Sequence, residues 1–319
     1  MRVLVLFFAM IVSSSSYAFK FTSENVLSIP LNNWTSQRVL SIAIGEYIAQ
    51  SGIDVDYVNI SSDDQWGAMG RGSIHFQLEV WEPSMKGLLS HYLAKGSVVE
   101  MGDHEAKVIE DWWYPKYVEQ LCPELPDWRA LISCKHLFQV DPNNNDEKAI
   151  YYGGPWDYGD ADVIRALDLE FTIERKTSDK ELWQQLAVSV KAQSPIILLN
   201  WSPNWTDKHI PGEFIKFPAY SEQCETDPTW GLNKTLSKDC GNKRHGWLKK
   251  VAASSFQSEF PCVYDFIKQV RFTSKMIADA SSLVVVDGLS EQEAALVWSK
   301  NYLENLKQWS STSCMVNSI

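Results

Sequence analysis

Short apolar runs that stop at turn residues alternate along this chain with longer segments whose apolar positions recur every three or four residues. The first run, Val26 to Pro30, reads as a strand, and Asn33-Trp34-Thr35-Ser36-Gln37 then opens a predicted helix to about Ser51. Val39, Leu40, Ala43, Tyr47 and Ile48 share one face of that helix, and Gly52 ends it. Asp54 to Ile60 alternates as a second strand, so the chain opens with a βαβ unit. Residues 64–72 predict a helix, and His75 to Val80 a strand that stops at Trp81-Glu82-Pro83. A helix over 84–95 and a strand over 98–101 follow.

From Trp112-Trp113-Tyr114-Pro115 the pattern turns Pro- and Trp-rich, and Asp141 to Asp146 is a polar turn. Regular alternation then resumes: a strand from Ala149 into Gly153-Gly154-Pro155-Trp156, a helix over 160–167 and a strand over 170–174. The capping box Ser178-Asp179-Lys180-Glu181 opens a helix through Lys191. The apolar run Pro195 to Leu199 is a buried strand that ends in Asn200-Trp201-Ser202-Pro203, the same Trp-x-Pro ending as at Trp81. A return strand over 214–218, a strand over 245–256 and a helix over 260–270 come next. A second capping box, Ser290-Glu291-Gln292-Glu293, starts a last helix to about Trp309. No internal repeat is present. Strands alternating with helices throughout mean an α/β protein, and 319 residues exceed the usual single domain. Breaks near 108 and 216 predict two lobes joined by two crossings: 19–108 plus 216–319 as one, 109–215 as the other.

Composition narrows the class. A formal charge of −11 argues against nucleic acid and anionic membranes as partners, since both require basic patches. Residues 1–18 combine Arg2, an apolar stretch from Val3 to Val12, and small residues leading to Ala18. This is the pattern of a cleavable secretory signal peptide. In an exported chain the six cysteines read as disulfide material. Locality pairs Cys122 with Cys134 and Cys224 with Cys240, leaving Cys262 and Cys314 as a third bridge or two thiols.

Catalytic signatures are missing. His104-Glu105 lacks a second His on the same face, Gly72-Ser73 lacks the glycines of a nucleophile elbow, and no Gly-rich phosphate loop occurs. The Asp141 to Asp146 turn lacks the Gly and terminal Glu of a calcium loop, and the six His show no ligand spacing. No cofactor or metal is therefore expected, and no enzymatic activity. The fourteen tryptophans are the exception to an ordinary composition. Trp66, Trp128, Trp183, Trp205, Trp230, Trp247, Trp298 and Trp309 are explained by packing. Trp34, Trp81, Trp156 and Trp201 instead lie just past predicted strands, at the edge where α/β proteins bind ligands. Indole faces attract a cation without N–H donors, each contributing on the order of 0.5 to 2 kcal/mol. A sugar stacked on the same rings is the rival guest, with Glu79, Glu82, Asp157 and Asn200 as its polar partners. An exported hydrolase is the third class.

The two Trp-x-Pro strand ends, Asn33-Trp34-Thr35-Ser36, Gly153-Gly154-Pro155-Trp156, the Cys224–Cys240 loop and the terminal helix resemble periplasmic substrate-binding proteins of ABC transporters for glycine betaine, proline betaine and choline. The likeness covers essentially the whole mature chain. It implies a type II-like two-lobed fold that closes on its ligand, periplasmic localisation, a membrane permease as partner, and a monomer. It assigns ligand binding to Trp34, Trp81, Trp156 and Trp201, with Trp112 near an aromatic position of the choline-binding branch. Choline binders of this family carry an acidic residue two positions after the first Trp. Ser36 stands there in this chain, which implies a zwitterion such as a betaine, its carboxylate met by backbone N–H groups where the 35–51 helix starts. Choline, carnitine and sulfonium analogues remain alternatives.

Overall fold

The computed structural model describes residues 26–314 except 142 and 144–146. The expected signal peptide therefore lies outside the described residues, as does most of the Asp141 to Asp146 turn. Strands β1 (Leu27–Leu31) and β2 (Val55–Asn59) pair in parallel across the helix Thr35–Ala49, Leu27 facing Val55 and Leu31 facing Asn59. This is the βαβ opening that the hydrophobic spacing predicts.

The main sheet holds β3 (Phe76–Trp81), β4 (Val98–Pro115), β5 (Ala149–Gly153), β6 (Phe171–Arg175), β7 (Leu198–Ser202), β8 (Gly212–Phe214) and β9 (Gly246–Ala253). Its order is β3-β9-β4-β7-β5-β6, with β8 also on β4. β4 is the spine. Its first half runs antiparallel to β9, from Val98 opposite Ala253 to Val108 opposite Gly246. From Ile109 onward it pairs instead with β7, Ile109 facing Ser202 and Glu110 facing Trp201, and then with β8. β3 is buried along its whole length, because β9 flanks it and the helix Glu82–Ala94 folds back over it.

The sequence predicts only residues 98–101 of β4. Gly102, Asp103 and Glu105 break the apolar run, although Met101, His104, Ala106 and Val108 still point inward. His104 is buried there as a neutral ring, its pKa held low by desolvation, and it bonds to Leu78 O and the Phe272 N–H. The helix Ser274–Val285 is likewise unpredicted. Its buried residues Met276, Ile277, Ala280 and Ser281 share one face, and Thr273 caps it by accepting from the Met276 N–H at 3.3 Å. The last helix is two, Glu291–Asn301 and Leu303–Ser310, separated at Tyr302.

Helix Thr35–Ala49 is buried on most of its surface because it packs on β1, on Ser274–Val285 and on Glu291–Asn301. Each fully buried Leu, Ile or Phe in this layer contributes roughly 1.5–3 kcal/mol. Trp298 is completely enclosed and donates its indole N–H to Met276 O. All six cysteines are bridged: Cys122–Cys134 and Cys224–Cys240 as locality predicts, and Cys262–Cys314, which ties the helix Pro261–Gln269 to the last described residue.

Candidate ligand-binding site

Four indoles arrive at one place from four separate turns. Trp34 stands at the N-cap of the 35–49 helix. Trp81 ends β3 where Glu82-Pro83 starts the next helix, Pro lacking the N–H that a helix start leaves unused anyway. Trp156 follows β5 and folds back over Gly154, where an added Cβ would lie 2.4 Å from the indole ring. Trp201 lies inside β7 rather than past its end, since that strand starts three residues later than its apolar run. Together with Ser62, Asp63, Ser84, Met85, Leu88, Glu110, Asp157 and Tyr158 they line a cavity of about 210 Å³.

The walls stand nearly at right angles. Trp34 meets Trp156 at 6.3 Å between ring centroids and 78°, and Trp156 meets Trp201 at 5.4 Å and 88°. Trp183 backs Trp201 at 4.9 Å, so this helix residue is packing that supports the cage. Three indole N–H groups are tied down. Trp34 and Trp81 both donate to Glu79 Oε2, at 2.8 and 3.1 Å, and Trp156 donates to Asn33 Oδ1 at 2.9 Å. With the N–H edges held, the ring faces are left for the guest.

Burial raises both carboxyls beside the cage. Glu79 is pushed up to about 7 by desolvation, against the lowering effect of hydrogen bonds from Trp34, Trp81 and Ser36. Glu110 is pushed up to about 7 by desolvation, while Tyr158 and Ser84 donate to it at 2.7 and 2.9 Å and lower it, and Glu79 raises it further. Glu110 is thus poised to donate or accept a proton near neutrality. Among the described residues the lining contains three carboxylates and no Lys, Arg or His.

Two expected site residues are elsewhere. Trp112 is buried against Tyr151, ring centroids 3.9 Å apart, with its N–H on Asp160 Oδ1 at 2.9 Å. It shares a sheet face with Glu110 but sits about 6.6 Å further along β4, beyond the cavity. Ser36 turns its hydroxyl to Glu79 Oε2 at 3.1 Å and does not line the cavity. At the expected anion position, the start of the 35–49 helix, the first N–H is engaged by a side chain. Asp179 Oδ2 accepts there from the Thr35 N–H, 2.7 Å away. Asn200 and Ser202 hold the turn after β7 through Thr206 and Asp207. Sequence reasoning missed Glu110, Tyr158, Ser84 and Met85. The one signal for Tyr158 was its place two residues after Trp156.

A family model described as the substrate-binding domain of ABC-type glycine betaine transport systems matches residues 26–301. The chain belongs to that family. This glycine betaine substrate-binding family comprises solute-binding components of ABC importers, which work outside the cytoplasm with a membrane permease, as the Trp-x-Pro motifs imply. The chain is also 32% identical over 285 residues to the trimethylamine N-oxide-binding protein of Pelagibacter ubique, covering 86% of this chain and 88% of that one. Among solved structures it resembles an ABC-transporter choline-binding protein in complex with choline. That match has a TM-score of 0.70 and 17% identity, over 92% of this chain and 94% of that one. It also resembles lactococcal OpuAC closed on glycine betaine, with a TM-score of 0.65 and 15% identity over 90% and 99% of the two chains. The α/β fold is accordingly the two-lobed fold of periplasmic binding proteins.

Proposed function

We propose that the four-indole cavity binds a compound with a positively charged trimethylated nitrogen and one small polar substituent, the zwitterion trimethylamine N-oxide first, and that the loaded protein presents it to its permease. The observation that carries this reading is the lining itself: four indole faces and three carboxylates, with no basic side chain. Indole faces favour a cation whose methyl groups offer no N–H donor. A carboxylate on the guest brings two anionic oxygens into a lining with no basic group, whereas the N-oxide brings one, and the protonated Glu110 provides one donor for it. The identity to the Pelagibacter protein, which binds trimethylamine N-oxide, supports the same ligand.

Choline is the second reading, because ionised Glu110 accepts from a hydroxyl as readily as protonated Glu110 donates to an oxide. In this proposal residues 26–108 and 216–314 form one lobe and 109–215 the other, supported by the change of β4 partners between Val108 and Ile109. Trp34 and Trp81 then come from one lobe and Trp156 and Trp201 from the other. The lobes close by hinge motion around the guest. Residues 1–18 act as the cleaved export signal to the periplasm, and the mature protein works as a monomer without enzymatic activity. Calorimetry against trimethylamine N-oxide, glycine betaine, choline, tetramethylammonium and glucose tests the reading. Binding of the methylated cations with quenching of Trp fluorescence is expected; glucose binding without them would overturn it.

A further inference from the structure

We propose that Glu79, which does not itself line the cavity, is the positioning residue of the cage and the buried counter-charge of its guest, acting through two indoles. The inference rests on the cation-binding reading above and extends it to a residue with no ligand contact.

The geometry is specific. Glu79 is completely buried on β3, two residues before Trp81, and its Oε2 collects three donors: Trp34 Nε1, Trp81 Nε1 and Ser36 Oγ, at 2.8, 3.1 and 3.1 Å. One carboxylate oxygen thereby sets the rotation of two of the four walls. The backbone N–H of Glu79 is itself held by Gln77 Oε1 at 2.9 Å, and Gln77 continues into a buried amide cluster with Asn32, Gln37 and Gln65. The carboxylate therefore stands on a rigid polar strut, as a side chain that must aim two rings requires.

When ionised, it has no charged protein partner. Among the described residues no ammonium or guanidinium group pairs with Glu79, and its Oε1 is buried without a hydrogen bond. A buried carboxylate in this state is costly unless a cation compensates it. The guest proposed for the cavity presents a positively charged trimethylated nitrogen with no N–H to donate, so that nitrogen meets a carboxylate only at a distance, through polarisable groups. An indole that donates its N–H to a carboxylate gains electron density on its face. Trp34 and Trp81 thus relay the Glu79 charge to the cavity and strengthen their attraction for the guest.

The test uses the full mature chain with Glu79→Gln, which keeps the shape and removes the charge. Tetramethylammonium, which has no group for Glu110 to bond, is titrated calorimetrically, and ¹⁵N-indole spectra are assigned with Trp34→Phe and Trp81→Phe. Expected are a loss of affinity of more than about tenfold and upfield movement of the Trp34 and Trp81 N–H resonances, with the Trp298 resonance unmoved. Wild-type spectra give a second measurement that needs no variant. The Trp34 and Trp81 N–H resonances are expected well downfield and to shift when tetramethylammonium binds. Wild-type affinity retained by a folded Glu79→Gln protein, or unresponsive wild-type indole resonances in the presence of bound ligand, would overturn the role of Glu79 alone. Failure of the wild-type protein to bind any trimethylated cation would overturn the proposed function, and this inference with it.

Discussion

Asp179 Oδ2 accepts from both the backbone N–H and the hydroxyl of Thr35, at 2.7 and 2.6 Å, across 144 residues of sequence. Neither atom set lies in the cage, yet the pair joins the helix that begins beside Trp34 to the helix that carries Trp183. In the proposed lobe assignment it is a latch between lobes. Buried hydrogen bonds to a charged group contribute about 1.5–3 kcal/mol. Asp179→Ala is expected to weaken ligand binding roughly tenfold, mostly through faster dissociation, which stopped-flow Trp fluorescence measures. An unchanged dissociation rate would count against the latch.

Trp112 and Trp201 set a packing role against the proposed binding role. Trp201→Ala is expected to weaken methylated-cation binding by more than about tenfold, equivalent to roughly 1.4 kcal/mol or more. Trp112→Phe keeps most of the stack on Tyr151 and loses the bond to Asp160. It is expected to lower thermal stability while leaving affinity within about twofold of wild type. Calorimetry and thermal unfolding of both variants check the pair.

In the proposed site, Glu110 is expected to make ligand preference depend on pH. Its carboxyl, raised to about 7, donates to an oxide oxygen when protonated and attracts a plain cation when ionised. The affinity ratio of trimethylamine N-oxide to tetramethylammonium is therefore expected to fall as pH rises through about 7. Glu79, also raised to about 7, acts in the same direction, because its charge attracts a full cation more than the net-neutral N-oxide. Glu110→Gln should reduce the slope to the part that Glu79 carries, and competition binding at several pH values reads the result.

Lys250 gives the stability curve a sign. It is fully buried, its ammonium donates to Lys268 O and Val270 O, and burial followed by repulsion from Arg271 pushes its pKa down to about 6. Between that value and 10.5 the unfolded chain binds a proton that the folded one does not, so this group lowers stability near pH 7 and the penalty fades as pH rises. Relative to Lys250→Met, wild-type stability is expected to improve by about 1 kcal/mol per pH unit between roughly pH 7 and 9. Urea unfolding at the two pH values measures it.

The architecture was readable where spacing alone decides structure: the opening βαβ unit, the helix capped by Ser178, and the indoles at Trp34, Trp81, Trp156 and Trp201. What stayed hidden depends on contacts remote in sequence. Gly102 and its polar neighbours look like the end of a strand, yet β9 carries the ladder past them. Glu110 reads as an ordinary surface acid until burial places it under Tyr158. Thr35 and Ser36 look like an open helix start, and only the approach of Asp179 and Glu79 shows their donors already engaged. Trp112 misled for the opposite reason, since its neighbours in sequence are aromatic and its neighbours in space are too.

The change of partners along β4 bears on how freely the protein opens. Val108 bonds on one side to β9 and Ile109 on the other to β7, so each stretch of the strand keeps its own neighbours on either side of a single peptide link. A twist at that link would break no ladder bond. In the proposed lobe assignment, the balance between open and closed forms then falls to contacts across the cleft rather than to the sheet, among them Asn33–Trp156, Thr35–Asp179, Ser84–Glu110 and Lys208–Asp279. On that assignment the contacts across the cleft, rather than the sheet, decide when the cargo leaves, which is what delivery to a permease demands.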